Sequence, residues 1–358
     1  MVDGSEFSGK IFGWEENSTG EVVFTTGMTG FEQSITDPSF AGQILVFTFP
    51  LVGNYGIPSE NKDKNGILEN FESKNPFIKG LVVSDFSENF SHHSAKKSIQ
   101  KWLQENKIPG ICGIDTRKLT QKIRESGSIL GQIVIENSKI QKKIIDPNLG
   151  NLAKNVSTKK LKILEPENFS GISIAAIDTG IKNNILREFL QRGIKIFLCP
   201  IDFSIEQIYS EISGVFLANG PGDPKIIFPE IQKNILWAAE KNLPIFGICL
   251  GNQLINLSFG GNTFKMKFGH RGVNQPVQNL QNRKCFITSQ NHGFAIDPEK
   301  IPKNFKIWFK NLNDNSVEGI RHKNERIFSV QFHPEAFPGP QETNYLFDEF
   351  VEVIQSGK

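Results

Sequence analysis

The sequence predicts an α/β protein in two parts: a doubly wound mixed sheet in the C-terminal half, preceded by an N-terminal α+β domain. Three observations lead there. From residue 172 onward, apolar runs of strand length alternate with helical stretches, and that βαβα order gives a parallel sheet. Before it, short β-branched and aromatic runs mix with two helical patterns and show no such alternation. The length, 358 residues, exceeds what one ordinary core holds. The expected divisions are a first domain at 1–150, a charged, proline-containing linker at 151–171 and a second domain at 172–358.

Taken in order, the first domain should hold strands at 21–26, 43–49, 81–84, 111–114 and 132–135. One helix is expected at 94–105, capped by Ser94, and another at 116–125, after Asp115 and before Gly127. A polar stretch rich in Asn, Lys and Glu between Tyr55 and Asn75 reads as a mobile loop, and His92 and His93 as solvated loop residues. Short helical pieces are expected at 142–145 and 149–153. In the second domain the order is strand 172–177, helix 183–191, strand 195–198, short helix 204–211 and strand 214–217. The rigid turn Asn219-Gly220-Pro221-Gly222-Asp223-Pro224 follows, then helix 230–241 and strand 244–248. Strands at 285–289, 306–309, 316–321 and 327–332 and a helix at 342–354 complete it, with Gln290-Asn291-His292-Gly293-Phe294 read as a loop.

Composition excludes several functions. Lys and Arg number 40 against 38 Asp and Glu, a net charge of +2, so neither nucleic acid nor a membrane surface is an expected partner. No apolar run approaches spanning length, and residues 1–6 lack the features of a signal peptide. Cys112, Cys199, Cys249 and Cys285 are widely spaced, with no Cys-x-x-Cys and no Cys/His cluster. That argues against disulfides or a metal site and for a reducing compartment, the cytoplasm, or the plastid stroma for a plastid-encoded chain. No phosphate-binding loop of the G-x-x-x-x-G-K-[ST] or G-x-G-x-x-G type is present, so no cofactor is expected in this chain.

The chemistry centres on Gly247-Ile248-Cys249-Leu250-Gly251. A buried strand runs into Cys249, and a helix from 250 to 259 starts at once. This is the G-x-nucleophile-x-G elbow with sulfur in place of hydroxyl. Flanking glycines permit the tight bend, and the helix N-terminus favours thiolate. A nucleophilic Cys needs a base, and the base needs an orienting group. His333 stands at the end of a strand in the same domain, and Glu335 follows across Pro334, which restricts both residues. His292 is the runner-up base, read as more structural than catalytic.

Together, Gly247-Ile248-Cys249-Leu250-Gly251-Asn252-Gln253, His333-Pro334-Glu335 and the Gly-Pro loop resemble class I, triad-type glutamine amidotransferases. Further stretches resemble the small subunit of carbamoyl phosphate synthetase: Met28-Thr29-Gly30-Phe31-Glu32, Thr36-Asp37-Pro38-Ser39-Phe40, Gly53-Asn54-Tyr55-Gly56, Gly113-Ile114-Asp115-Thr116-Arg117, Met266-Lys267-Phe268-Gly269-His270 and Gln290-Asn291-His292-Gly293-Phe294. The resemblance covers nearly the whole chain. It implies that Cys249 attacks L-glutamine, His333 shuttles the proton and Glu335 orients His333. It implies glutamine contacts from Ser39, Gly220, Gly222, Leu250, Gln253, Asn291, Gly293 and Phe294, with Ser39 supplied by the first domain. It also implies a large synthetase subunit as partner, in a heterodimer or an assembly of heterodimers, with ATP and Mg on that partner. Carbamoyl phosphate for arginine and pyrimidines would be the product. The rivals are another class I amidotransferase subunit and a γ-glutamyl thiol hydrolase. One residue departs from the family: Asn252 stands where His is usual, and it is expected near the site mouth making one hydrogen bond.

Overall fold

The computed structural model describes residues 1–138, 140–141 and 143–357. The chain forms two compact units. One is Met1–Leu152 with Lys267–Arg271, the other Ala153–Met266 with Gly272–Lys358.

The first unit is built on a six-stranded sheet in the order Lys10–Ile11, Gly110–Cys112, Gly80–Val82, Gln43–Phe47, Ser18–Thr25, Ile129–Ile133. Its inner pairings are parallel and its two edges antiparallel. Both faces are covered, because alternate residues of Gln43–Phe47 point to opposite sides. Leu45 and Phe47 join Phe71 and Trp102 in one cluster; Ile44 and Val46 join Leu119 and Ile123 in the other. Leu119 and Ile123 come from helix Thr116–Ser126, which Asp115 caps by accepting from Lys118 N–H at 2.9 Å and which ends at Gly127. The other expected helix starts later than Ser94. Residues Ala95–Lys97 pair as a strand with Ile57–Pro58, so the helix is Ile99–Glu105, and Ser98 caps it. A short helix, Phe31–Thr36, and a 3₁₀ turn, Pro38–Phe40, were not expected. Past Ile57–Pro58 the polar stretch after Tyr55 is largely irregular, yet Ile57, Ile67, Leu68 and Phe71 anchor it in the core. Its polarity belongs to the residues between these anchors. Of the helical piece expected at 142–145, Lys142 lies outside the described residues and 143–145 carry no helix.

The second unit contains, in chain order, β1 Ser173–Ile177, α1 Asn183–Gln191, β2 Lys195–Cys199, β3 Gly214–Leu217, α2 Pro224–Glu240, β4 Ile245–Ile248, α3 Leu250–Ser258, β5 Cys285–Ile296, β6 Val317–His322 and β7 Ile327–Val330. Strands β2, β1, β3, β4 and β7 run parallel side by side. Beyond β7 the sheet continues through β6, β5, Thr263–Asn279 and Phe305–Asn311, with β7–β6 antiparallel, and Lys162–Leu164 adds an antiparallel strand at the other edge. The sheet is therefore mixed, as expected. Strands β1, β3, β4 and β7 are buried throughout, the mark of parallel strands covered on both faces.

Three differences from the sequence reading have local causes. Helix α2 begins at Pro224, six residues before the expected 230, because proline is tolerated in a first turn and Asp223 accepts from Lys225 N–H at 2.9 Å. Pro229 sits within it and masks the helical pattern. Residues 290–294 continue strand β5 and form no loop. Lys162–Leu164 gives regular structure to the stretch read as a linker, the helical piece expected at 149–153 is the helix Leu152–Val156, and residues 153–171 belong to the second unit.

Candidate active site

Strand β4 delivers Cys249 to the C-terminal edge of the parallel sheet. Its N–H donates to Val330 O at 2.8 Å, so pairing with β7 persists to Cys249 itself. The chain then turns within one residue: Cys249 has φ 56° and ψ −103°, and α3 starts at Leu250. Such a backbone costs about 1–3 kcal/mol and persists only where its surroundings hold it. The flanking glycines are part of that hold. A Cβ on Gly251 would lie 2.3 Å from Leu217 O, and one on Gly247 would lie 2.8 Å from Gly251 C. Leu250 opens the helix, so its N–H has no intrahelical acceptor.

His333 lies just past β7, where its N–H donates to Ser289 O at 2.8 Å. Its Nδ1 is 2.6 Å from Glu335 Oε1. Glu335 is wholly buried, and Lys182 Nζ approaches the same Oε1 at 3.0 Å while donating to Ala336 O at 2.7 Å. Asn184 Nδ2 donates to Glu335 O. Burial alone would drive both His333 and Glu335 neutral. Against burial, the Glu335 carboxylate and the Cys249 sulfur prevail for His333 and raise its pKa well above the usual 6.5. For Glu335 the Lys182 ammonium and then His333 outweigh burial and hold its pKa below the usual 4.5. His333 Nε2 is buried, and Cys249 is the neighbour that acts on the ring. The arrangement lines up a cysteine, a histidine whose charged form is favoured and a buried carboxylate whose charged form is favoured.

The Gly-Pro loop is held from β1. Thr179 Oγ1 donates to Ala218 O at 3.0 Å and to Asn219 O at 2.9 Å, and Asn219 Oδ1 accepts from Lys182 N–H at 3.1 Å. Gly220 packs so closely that a Cβ would lie 2.1 Å from Thr179 O, and Gly222 has φ +92°. On the other side, Asn291 O is 3.7 Å from Cys249 Sγ, and Gln253 Nε2 donates to Phe294 O at 2.8 Å. Gly293 lies between Asn291 and Phe294 on β5. Thus Cys249, Leu250 and Gln253 on the elbow, His333 and Glu335 after β7, Gly220 and Gly222 after β3 and Asn291, Gly293 and Phe294 on β5 all belong to the second unit. Ser39 belongs to the first unit, in the turn Pro38–Phe40, its N–H donating to Asp37 Oδ1 at 2.8 Å. Both ring nitrogens of His292 are engaged, Nδ1 with Phe294 O at 2.8 Å and Nε2 with Gln290 Oε1 at 3.0 Å.

Asn252 does not sit near the site mouth. It is fully buried between α3 and β7, where Oδ1 accepts from Ser329 Oγ at 2.9 Å and Nδ2 donates to Gln331 Oε1 at 3.1 Å. It shares that acceptor with Gln253 Nε2 at 3.0 Å. Two hydrogen bonds inside the fold replace the single one expected, since α3 turns this side chain toward the sheet. Sequence reasoning also missed Lys182, Asn184 and Thr179. The Asp178-Thr179-Gly180 turn right after a strand was the available signal, since β1 ends where ligands of such sheets bind.

Comparison with known proteins follows the same two-part division. Residues 1–133 match the family model "Carbamoyl-phosphate synthase small chain, CPSase domain", and residues 175–353 match "Glutamine amidotransferase class-I". The carbamoyl phosphate synthase arginine-specific small chain of Chaetomium globosum is 44% identical over 359 residues, covering 99% of this chain and 78% of that protein. Multifunctional protein pyr1-3 of Dictyostelium discoideum is 44% identical over 374 residues, 99% of this chain but 17% of its own length. Multifunctional protein CAD of Squalus acanthias is 44% identical over 362 residues, all of this chain and 16% of its own. The chain thus spans under a fifth of the two multifunctional relatives. Among the described residues no helix is long and apolar enough to cross a membrane.

Proposed function

The chain belongs to the carbamoyl-phosphate synthase small-chain family, and from that premise we propose that it is the glutaminase subunit of a glutamine-dependent carbamoyl phosphate synthetase. The observation that carries the reading is the buried Lys182–Glu335–His333 array beside a cysteine on a strained elbow. Cys249 Sγ attacks the side-chain amide carbon of L-glutamine. The oxyanion that forms is held by the N–H groups of Leu250 and Gly220, donors of a kind worth about 10²–10³ in rate. His333 gives its proton to the departing nitrogen, so ammonia leaves and a γ-glutamyl thioester remains on Cys249. Water then attacks the thioester with His333 taking its proton, glutamate leaves, and Cys249 and the protonated His333 are restored. Gly222, Gln253, Asn291, Gly293 and Phe294 are assigned to binding glutamine.

Ammonia passes to a large partner subunit, which uses ATP, Mg and bicarbonate to make carbamoyl phosphate. This division of labour rests on the lack of any phosphate-binding loop signature in this chain. The test compares ammonia release from free glutamine and from γ-glutamyl peptides, together with trapping of a Cys249 thioester. Release from glutamine with a trapped adduct on Cys249 supports the reading. Preference for extended γ-glutamyl peptides would instead identify a thiol hydrolase.

A further inference from the structure

Asp178 lies at the end of β1, almost fully buried, and takes no direct part in the chemistry described above. Among the described residues its carboxylate accepts from three backbone N–H groups. Oδ1 accepts from Gly180 and Ile181, each at 2.9 Å. Oδ2 accepts from Thr158 at 2.7 Å. The two sets of partners lie in different parts of the chain. Thr158 is in the stretch by which the chain enters the second unit, just past the helix Leu152–Val156. Gly180 and Ile181 form the turn that leads into Lys182, and Gly180 has φ +118°. From that turn, Lys182 Nζ reaches Glu335 Oε1 at 3.0 Å, and Lys182 N–H reaches Asn219 Oδ1 at 3.1 Å, next to Gly220. Thr179, inside the same turn, holds Ala218 O and Asn219 O. One short loop therefore fixes both the anion behind the base and one side of the oxyanion site.

We propose that Asp178 is a positioning residue that fastens the entering stretch at Thr158 to the 179–182 loop, so that the catalytic alignment of Glu335, His333 and Gly220 depends on that clasp. The inference rests on the glutaminase reading for its rate assay, but the clasp itself is backbone geometry.

An asparagine at this position keeps the shape and loses the function of the clasp. An amide has one oxygen and one NH₂. Whichever way it is turned, a donor faces a donor: Thr158 N–H in one orientation, the Gly180 and Ile181 N–H groups in the other. Thr158→Pro removes the same link from the other side, leaving Asp178 intact. Thr158→Ser keeps the N–H and serves as control.

The experiment measures glutamine hydrolysis by the full chain with its co-purified partner, and the rate at which iodoacetamide alkylates Cys249. Asp178→Asn and Thr158→Pro should each lower kcat about 10- to 100-fold, the scale of a small misplacement of catalytic groups. KM for glutamine should stay within about twofold, and Cys249 alkylation should slow in both variants. The double variant should be no worse than the poorer single one, and Thr158→Ser should match the parent. A loss of folded protein with unchanged kcat per alkylatable Cys249 would reduce Asp178 to a structural role and overturn the proposal. Variants as active as the parent would overturn it also. A parent that hydrolyses no glutamine, with alkylation still slowed by Asp178→Asn, would overturn the glutaminase reading and uphold the clasp.

Discussion

Two buried polar clusters flank the elbow, and they are built from opposite materials. On one side stand Lys182, Glu335 and His333, all charged or chargeable. On the other stand Asn252, Gln253, Ser329 and Gln331, all neutral. Burying ions costs several kcal/mol each unless they are paired with good geometry, whereas a neutral polar group left unpaired costs about 1–3 kcal/mol. The charged cluster stands beside Cys249, where the proposed reaction moves a proton. Where the task is to seat helix α3 against β7, amides and a hydroxyl suffice. Asn252 belongs to the second kind. It therefore holds the elbow and does not titrate, whatever residue relatives carry there.

That contrast can be broken at several points. His333→Asn should be the largest loss, about 10²–10⁴ in kcat, because Asn cannot carry a proton at neutral pH. Steady-state rates at saturating glutamine give it directly, and a loss under tenfold would place the base elsewhere. Lys182→Met leaves Glu335 buried beside His333 alone. Breaking a buried pair in this way costs about 3–5 kcal/mol, read from the shift of the urea midpoint. An unmoved midpoint would mean that Lys182 contributes charge without stability.

The pH dependence should have two windows with opposite signs. Glu335 has its pKa lowered from 4.5 to about 2, so its contribution to stability is complete above pH 4.5 and is lost as pH falls toward 2. His333 has its pKa raised from 6.5 to about 10, so its contribution is complete below pH 6.5 and is lost as pH rises toward 10. Urea unfolding across this range should show both losses in the parent and a weaker acid-side loss in Lys182→Met. Flat stability through both windows would deny the charged cluster its role.

Asn252→His probes the neutral cluster. The imidazole is larger than the amide it replaces in a fully buried slot, so overpacking should cost about 1–3 kcal/mol and lower Tm. The glutamine-dependent rate should change by less than about tenfold, or about 1.4 kcal/mol of barrier. A large gain in rate would show that position 252 takes part in the chemistry after all.

Much of this was readable in the residues, and what was missed has physical reasons. The parallel strands and α1 are apolar or amphipathic stretches with few competing signals, and the helix Asn183–Gln191 and strand Gly214–Leu217 fall where the pattern puts them. The elbow was legible because two glycines and a cysteine between strand and helix have few other uses. Lys182 was not, since a lysine at the start of a helix looks solvated until the fold buries it at 4% exposure. Asn252 was placed on the correct helix but the wrong side, because a three-residue offset says nothing about where the sheet lies. In the first unit, Ser94 and Ser98 are equivalent as caps by type. The choice falls to Ser98 through pairing of Ala95–Lys97 with Ile57–Pro58, a contact between residues far apart in sequence.

The most direct test of the central claim, that this chain supplies ammonia to a partner that does the rest, is Cys249→Ser in the assembled complex. Carbamoyl phosphate formation is measured twice, with glutamine and with ammonia as nitrogen donor. The expected result is loss of the glutamine-dependent reaction with the ammonia-dependent rate unchanged. Equal loss of both would contradict the account.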